Sequence, residues 1–198
     1  MSNPRDIENM RTTFLYAAIA DAQGTIRATD SKIGVLLVIL IIPLTKFGAI
    51  YGKCSALLGG ENKCLAEFVA VLTFMFVCLW FLSFLAAMRA IIAIDDPSRH
   101  IDGTKPTGIF YSGGLFDPKF LDALLNRPIL AKKQLQQQLA ELPTSAEDIN
   151  KELLFEHAKL VYIRAMKINR MKYAFGFGIA WVFSGGALWL MSLLFHKF

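Results

Sequence analysis

Residues 68–88 read FVAVLTFMFVCLWFLSFLAAM, 21 positions without one charged side chain. At 1.5 Å per residue a helix of that length crosses the roughly 30 Å of a bilayer's hydrocarbon. A soluble fold has little use for a long helix that is apolar on every face, because some part of it would meet water. Two further runs share the property. Residues 173–195, YAFGFGIAWVFSGGALWLMSLLF, are 23 uncharged positions, and residues 33–51, IGVLLVILIIPLTKFGAIY, are 19 interrupted only by Pro43 and Lys46. The reading is an all-α membrane protein. Three transmembrane helices are expected, with long N- and C-terminal helices extending into a cytoplasmic helical stalk. The composition agrees: of 198 residues 55% are hydrophobic and 19% charged, with mean hydropathy +0.44, which excludes a disordered chain.

Outward from these runs the chain divides into an N-terminal cytoplasmic helix (1–32), a first span (33–51), an external loop (52–67), a second span (68–94), a cytoplasmic module with a stalk helix (95–172) and a third span (173–195). Charge sets the orientation. The net charge is +5, and sixteen of the 21 Lys and Arg lie in 1–32 and 95–172. The 52–64 connection has only Lys53 and Lys63, and the tail after the third span only Lys197. The positive-inside rule therefore places the N-terminus and 95–172 in the cytoplasm and the C-terminus outside. About 32 mostly polar residues precede the first apolar run, so it reads as a retained anchor rather than a cleaved signal. Cys78 inside the second span reads as packing. Cys54 and Cys64 bracket the external loop, where an oxidising compartment permits a disulfide, though the spacing alone leaves it open.

Asn3 followed by Pro4 fits a helix start, with Asp6 and Glu8 near its positive end. Leu15, Ala18, Ala22, Ile26, Thr29 and Ile33 then form a stripe at intervals of three or four, so one helix is expected to run from the cytoplasm through the first span, kinked by Pro43. Five of the seven prolines lie in 97–143, which predicts short elements there: a helix from Asp117 to Asn126, another from Ile129 to Leu142, and a short extended piece, Gly108 to Tyr111, ending in the Ser112-Gly113-Gly114 turn. Thr144 and Glu147 suggest a capping box. Beyond it Leu154, Ala158, Val161, Ala165 and Ile168 lead straight into the third span, predicting a helix of about 50 residues, roughly 75 Å long.

Catalytic chemistry finds no footing. His100, His157 and His196 lack metal-ligand spacing, no phosphate-cradling glycine loop is present, and Asp95 and Asp96 read as the end of the second span rather than an acid–base pair. No catalytic residue, metal or bound cofactor is expected. From Lys159 to Lys172 there are five cations and no acid. Arg170 and Lys172, nearest the bilayer, suit anionic headgroups. Lys159, Arg164 and Lys167 alternate with Tyr162, a set able to hold a phosphate and stack a base, although a solvated helix face accounts for each residue singly. In the third span Gly176, Ala180 and Ser184 are spaced by four, as are Ala174 and Gly178. Such spacing permits close helix packing within or between protomers. Lys46 and Glu67 either snorkel, pair or line a pore, and any pore would need several protomers.

Three stretches carry a resemblance to a known family: DAQGTIRATDSKIGVLL (21–37), with Asp30 and Lys32 just before the membrane; GIFYSGGLFDPKFLDALL (108–125); and LLFEHAKLVYIRAMKINRMKYAFGFG (153–178). Together they resemble the transmembrane effectors of Pycsar antiphage systems, and the order of elements matches over nearly the whole chain. The resemblance implies a multi-pass protein of the bacterial inner membrane, C-terminus periplasmic. Such a protein answers cyclic CMP or cyclic UMP from a partner cyclase by impairing that membrane, causing abortive infection. The expected partners are the lipid bilayer, that nucleotide and further copies of the chain, with no nucleic acid polymer. Lys32, Tyr111, Tyr162, Arg164 and Lys167 are the residues assigned to ligand or switch contacts. The alternatives are a membrane-anchored interaction protein, whose spans merely tether it, and a constitutive oligomeric channel subunit.

Overall fold

A computed structural model describes residues 4–46, 48, 51–52, 55, 63–94, 97–101 and 131–195. Among them every regular element is helical: α1 (Pro4–Thr45, 42 residues), α2 (Lys63–Ile91, 29 residues), a 3-10 turn (Pro97–His100), α3 (Leu135–Ala140) and α4 (Ala146–Phe195, 50 residues). α1, α2 and α4 are each long and apolar enough to span a membrane. Two compact units are present. One comprises Met1–Thr25 with Ile94–Arg164, the other Ile26–Ala93 with Ala165–Phe198, so α1 and α4 each contribute to both.

The second unit is a three-helix bundle. Ile33, Leu36 and Leu40 of α1, Ala87 and Ala90 of α2, and Ala174 and Trp181 of α4 form its core, with Phe76, Leu79, Trp80 and Phe84 packed against it. The outward residues are as apolar as the inward ones: Val38 is 64% exposed, Phe74 71% and Phe183 75%. Each such side chain left in water would forgo about 1.5–3 kcal/mol, an exposure that suits helices long and apolar enough to cross a membrane. Ser83, fully buried, donates its hydroxyl to the Ala174 carbonyl at 2.8 Å. A Cβ on Gly178 would stand 3.2 Å from Ser83 Oγ and 3.7 Å from Leu36 Cδ1, so the three helices meet closely at that glycine.

The end of α1 differs from expectation. Pro43 lies in its last turn and does not kink a continuing rod; α1 stops at Thr45, and the Lys46 N–H bonds the Pro43 carbonyl at 3.1 Å. Gly48, Tyr51, Gly52 and Ser55 beyond it are helical. Proline has no N–H and crowds the carbonyl four residues back, which loosens the helix here. The Trp80 indole N–H donates to the Leu40 carbonyl at 2.7 Å, a contact that ties α2 to α1 just before this point. α2 begins at Lys63 and ends at Ile91, so the second helix starts earlier and stops sooner than the 68–94 span drawn from charge alone.

In the first unit α1 and α4 are tied by the Thr12 hydroxyl, which donates to Asn150 Oδ1 at 2.8 Å. α4 starts one residue later than the Thr144 capping box predicts. Ser145 is the cap: its Oγ accepts from the Asp148 N–H at 3.1 Å and donates to the Asp148 carboxylate at 2.6 Å. The expected helix Ile129–Leu142 shortens to the six residues of α3, clamped by a 2.7 Å ion pair between Lys133 and Glu141. The expected helix Asp117–Asn126, the Gly108–Tyr111 piece, the 112–114 turn, Asp95 and Asp96 lie outside the described residues.

The α1 stripe read from periodicity does turn inward: Ala22, Thr29 and Ile33 are buried, and Leu15, Ala18 and Ile26 half-buried. The α4 stripe does so only in part: Ala158, Val161 and Ile168 are half-buried, but Leu154 and Ala165 are exposed, and the fully buried positions of this stretch are Glu152, Leu153, Lys159 and Lys167. Two lysines turn inward because each has a carboxylate to meet, and that preference overrides the apolar pattern.

Candidate functional site

Lys167 of α4 is 7% exposed and forms an ion pair with Asp30 of α1. Both belong to the second unit, the unit that also holds the apolar bundle. Burying an ammonium is costly unless an anion and hydrogen bonds meet it, and Asp30 supplies both. On the same stretch of α1, Lys32 is exposed. Arg170, one turn after Lys167, donates from Nη1 to the Arg89 carbonyl at 2.6 Å. That carbonyl lies in the last turn of α2, where helix carbonyls lack internal partners and a cation is favoured by the helix dipole. Arg170 therefore fastens α4 to the end of α2, a structural task beyond the headgroup contact expected of it.

In the first unit, the Tyr162 ring stacks on His100, with centroids 4.7 Å apart and planes 15° from parallel. Arg164 meets Asp21 of α1 at 3.4 Å, with Asp21 76% exposed. A pair so open to solvent is worth about 0–1 kcal/mol. Lys159 is 2% exposed, ion-paired to Glu156, and its Nζ lies 5.2 Å from the Phe155 ring centroid. An ammonium over an aromatic face adds to the pair's stabilisation.

The residues assigned to ligand or switch contacts thus divide. Tyr162 and Arg164 lie in the first unit, Lys32 and Lys167 in the second, and Tyr111 lies outside the described residues. The partners that sequence reasoning missed are Asp21, His100 and Glu156, together with the Arg89 carbonyl. A signal for the acids was present: a run of five cations without an acid needs anions from elsewhere, and in 21–33 α1 offers only Asp21 and Asp30.

The small residues of the third span sort by face. Ser184 is buried and donates to the Trp181 carbonyl at 2.8 Å, Ala180 is half-buried, and Gly176 is exposed with open space around the position of a Cβ. Within the chain the packing face is Ala174, Gly178, Trp181, Ser184 and Leu188, so Gly176 takes no part in it. Gly185 matters instead, since a Cβ there would come 2.8 Å from Cε2 of Phe76. Cys64 is exposed in the first turn of α2 and Cys78 half-buried, while Cys54 lies outside the described residues. Lys46 and Glu67 are both exposed. Among the described residues no three of His, Cys, Asp and Glu gather as a metal site. In comparisons with known proteins the chain matches no family profile, no curated protein and no solved structure.

Proposed function

We propose that this chain is a membrane effector of bacterial antiphage defence, similar to the Pycsar transmembrane effectors. It responds to cyclic CMP or cyclic UMP by rearranging or oligomerising in the inner membrane and impairing it. The observation that carries this reading is the way the cation run is used: Arg164 is held by Asp21 and Lys167 by Asp30, both carboxylates belonging to α1. A cyclic nucleotide's phosphodiester competes for the same cations. At Arg164 the competition is cheap, because the Asp21 pair is solvent-exposed and weak. Tyr162, whose ring already accepts a flat partner in His100, offers a stacking surface for a pyrimidine.

In this reading Lys167 is the switch contact. Its pair with Asp30 sits in the unit that contains the transmembrane packing, and α4 is one uninterrupted helix from the nucleotide-facing residues to the third span. Loosening α1 from α4 at Asp30 changes how α1, α2 and α4 pack around Gly178. A ligand drives that change only by binding the loosened state more tightly. The N-terminus and the basic 95–172 segment are cytoplasmic in this proposal, which places the nucleotide contacts where a cyclase delivers its product.

Calorimetry of the detergent-solubilised chain with cyclic CMP and with cyclic UMP tests the reading. Saturable heat with one of them is expected, and a folded sample giving none with either overturns it. Depolarisation of the inner membrane only when nucleotide is supplied separates an effector from an inert tether; conductance in liposomes without nucleotide identifies a constitutive channel.

A further inference from the structure

At the end of α4 opposite its membrane span, the first unit carries a groove of about 770 Å³ between α1 and α4. Its α1 wall is Ile7, Met10 and Phe14, and its α4 wall includes Leu154. These side chains are uncovered: Phe14 is 70% exposed, Met10 68%, Leu154 58% and Ile7 38%. Together they form one contiguous apolar strip along the groove. The rim carries both signs of charge. Lys151 is engaged with Glu147 at 2.8 Å, but among the described residues Glu8 and Arg11, one turn apart on α1, make no ion pair.

We propose that this groove is the site where a second copy of the chain docks, the two α1–α4 pairs packing groove to groove about a twofold axis. An acid and a base left unpaired on one rim are what a self-complementary surface needs, because a twofold sets Glu8 of each copy against Arg11 of the other. A lone acidic or basic ligand would leave one of the two uncompensated. The patch is smaller than the roughly 800 Å² per partner of a standard interface, so the contact is weak for molecules free in three dimensions. The three spans remove that difficulty. Copies inserted with one orientation present the same groove at the same level, and confinement to the bilayer raises their effective concentration. The proposal names where the self-association invoked under the reading above begins, and to that extent rests on it.

The test is cysteine cross-linking of the full-length chain in vesicles without nucleotide, with Cys54, Cys64 and Cys78 replaced. Ile7→Cys lies in the groove, where Ile7 is 38% exposed; Tyr16→Cys, half a helical turn round α1 and 51% exposed, is the control. Ile7→Cys is expected to give a disulfide dimer at least tenfold more than Tyr16→Cys. Adding Arg11→Glu should reduce the dimer at least tenfold, and Glu8→Arg with Arg11→Glu should restore it, with helical content by circular dichroism unchanged throughout. Equal cross-linking at the two sites overturns the proposal. So does a product whose mass shows another protein or an intrachain link, or an Arg11→Glu variant that dimerises undiminished. A chain that cross-links as expected yet gives no heat with either nucleotide keeps this interface and loses the functional reading, and the reverse result separates them the other way.

Discussion

Gly185 and Gly186 are adjacent in α4 and chemically the same, yet the structure gives them opposite surroundings. A Cβ on Gly186 would meet nothing within 4 Å, whereas one on Gly185 would stand 2.8 Å from Cε2 and 3.3 Å from Cδ2 of Phe76. Substituting alanine in a helix interior gains up to about 1 kcal/mol at either position. At Gly185 that gain is opposed by overpacking, which costs about 1–3 kcal/mol, because the Phe76 ring is itself held by Trp181 with centroids 5.6 Å apart. Gly186→Ala should therefore be neutral or stabilising, and Gly185→Ala less stable than Gly186→Ala by about 1–3 kcal/mol. At about 2–4 °C per kcal/mol for a chain of this size, the two melting temperatures in one detergent should differ by several degrees. Phe76→Leu should relieve Gly185→Ala more than it relieves the parent, a coupling that a double-mutant cycle measures. Gly185→Ala melting at or above Gly186→Ala would refute the close packing of α2 on α4 described above.

The same packing sets three further outcomes. Asp30→Asn should destabilise by about 1–2 kcal/mol, since it strands the buried Lys167, although the carboxylate's 40% exposure keeps the loss below that of a fully buried pair; Lys167→Met should cost less, and the double variant should recover most of the loss in a thermal melt. Ser145→Ala should lower stability by about 1 kcal/mol through loss of the α4 cap, while Thr144→Ala changes it by less than about 0.5 kcal/mol. The hydrogen bond and charge of Glu147 hold the Lys151 ammonium above the usual lysine value of 10.5, so this pair's contribution is complete below that value and is lost as pH rises through the raised one; Glu147→Gln should bring the Lys151 titration, followed by NMR, back down.

How much of this was legible beforehand depends on what kind of force placed each residue. The three spans and the continuity of α1 follow from lengths and apolar spacing, which act locally, and the α1 stripe from Ala22 to Ile33 turns inward as its period demands. The inward face of α4 escaped because Lys159 and Lys167 are counted as outward by any apolar period, and only Glu156 and Asp30 reverse that. Gly176 and Gly178 belong to interleaved series with the same spacing of four. Nothing local distinguishes them; Ser83 and Leu36, arriving from other helices, choose Gly178. Pro43 was read as a kink in a continuing helix, whereas α1 ends two residues beyond it, at Thr45. Among the assigned contact residues, Arg164 and Lys167 were recognised as cations and their anions were not, because ion pairs between residues more than a hundred positions apart leave no periodic trace.

The chain's three tryptophans occupy three different environments. Trp181 is in the bundle core, Trp80 is half-buried with its indole bonded to the Leu40 carbonyl, and Trp189 is 58% exposed on the outer surface. The molecule thus carries its own optical gauge of helix separation. Brominated lipid tails, which quench only what they touch, should dim Trp189 strongly and Trp80 partly in the resting bundle, and reach Trp181 only when the helices around it part. Variants with a single tryptophan would then report, without an added dye, whether the membrane helices open.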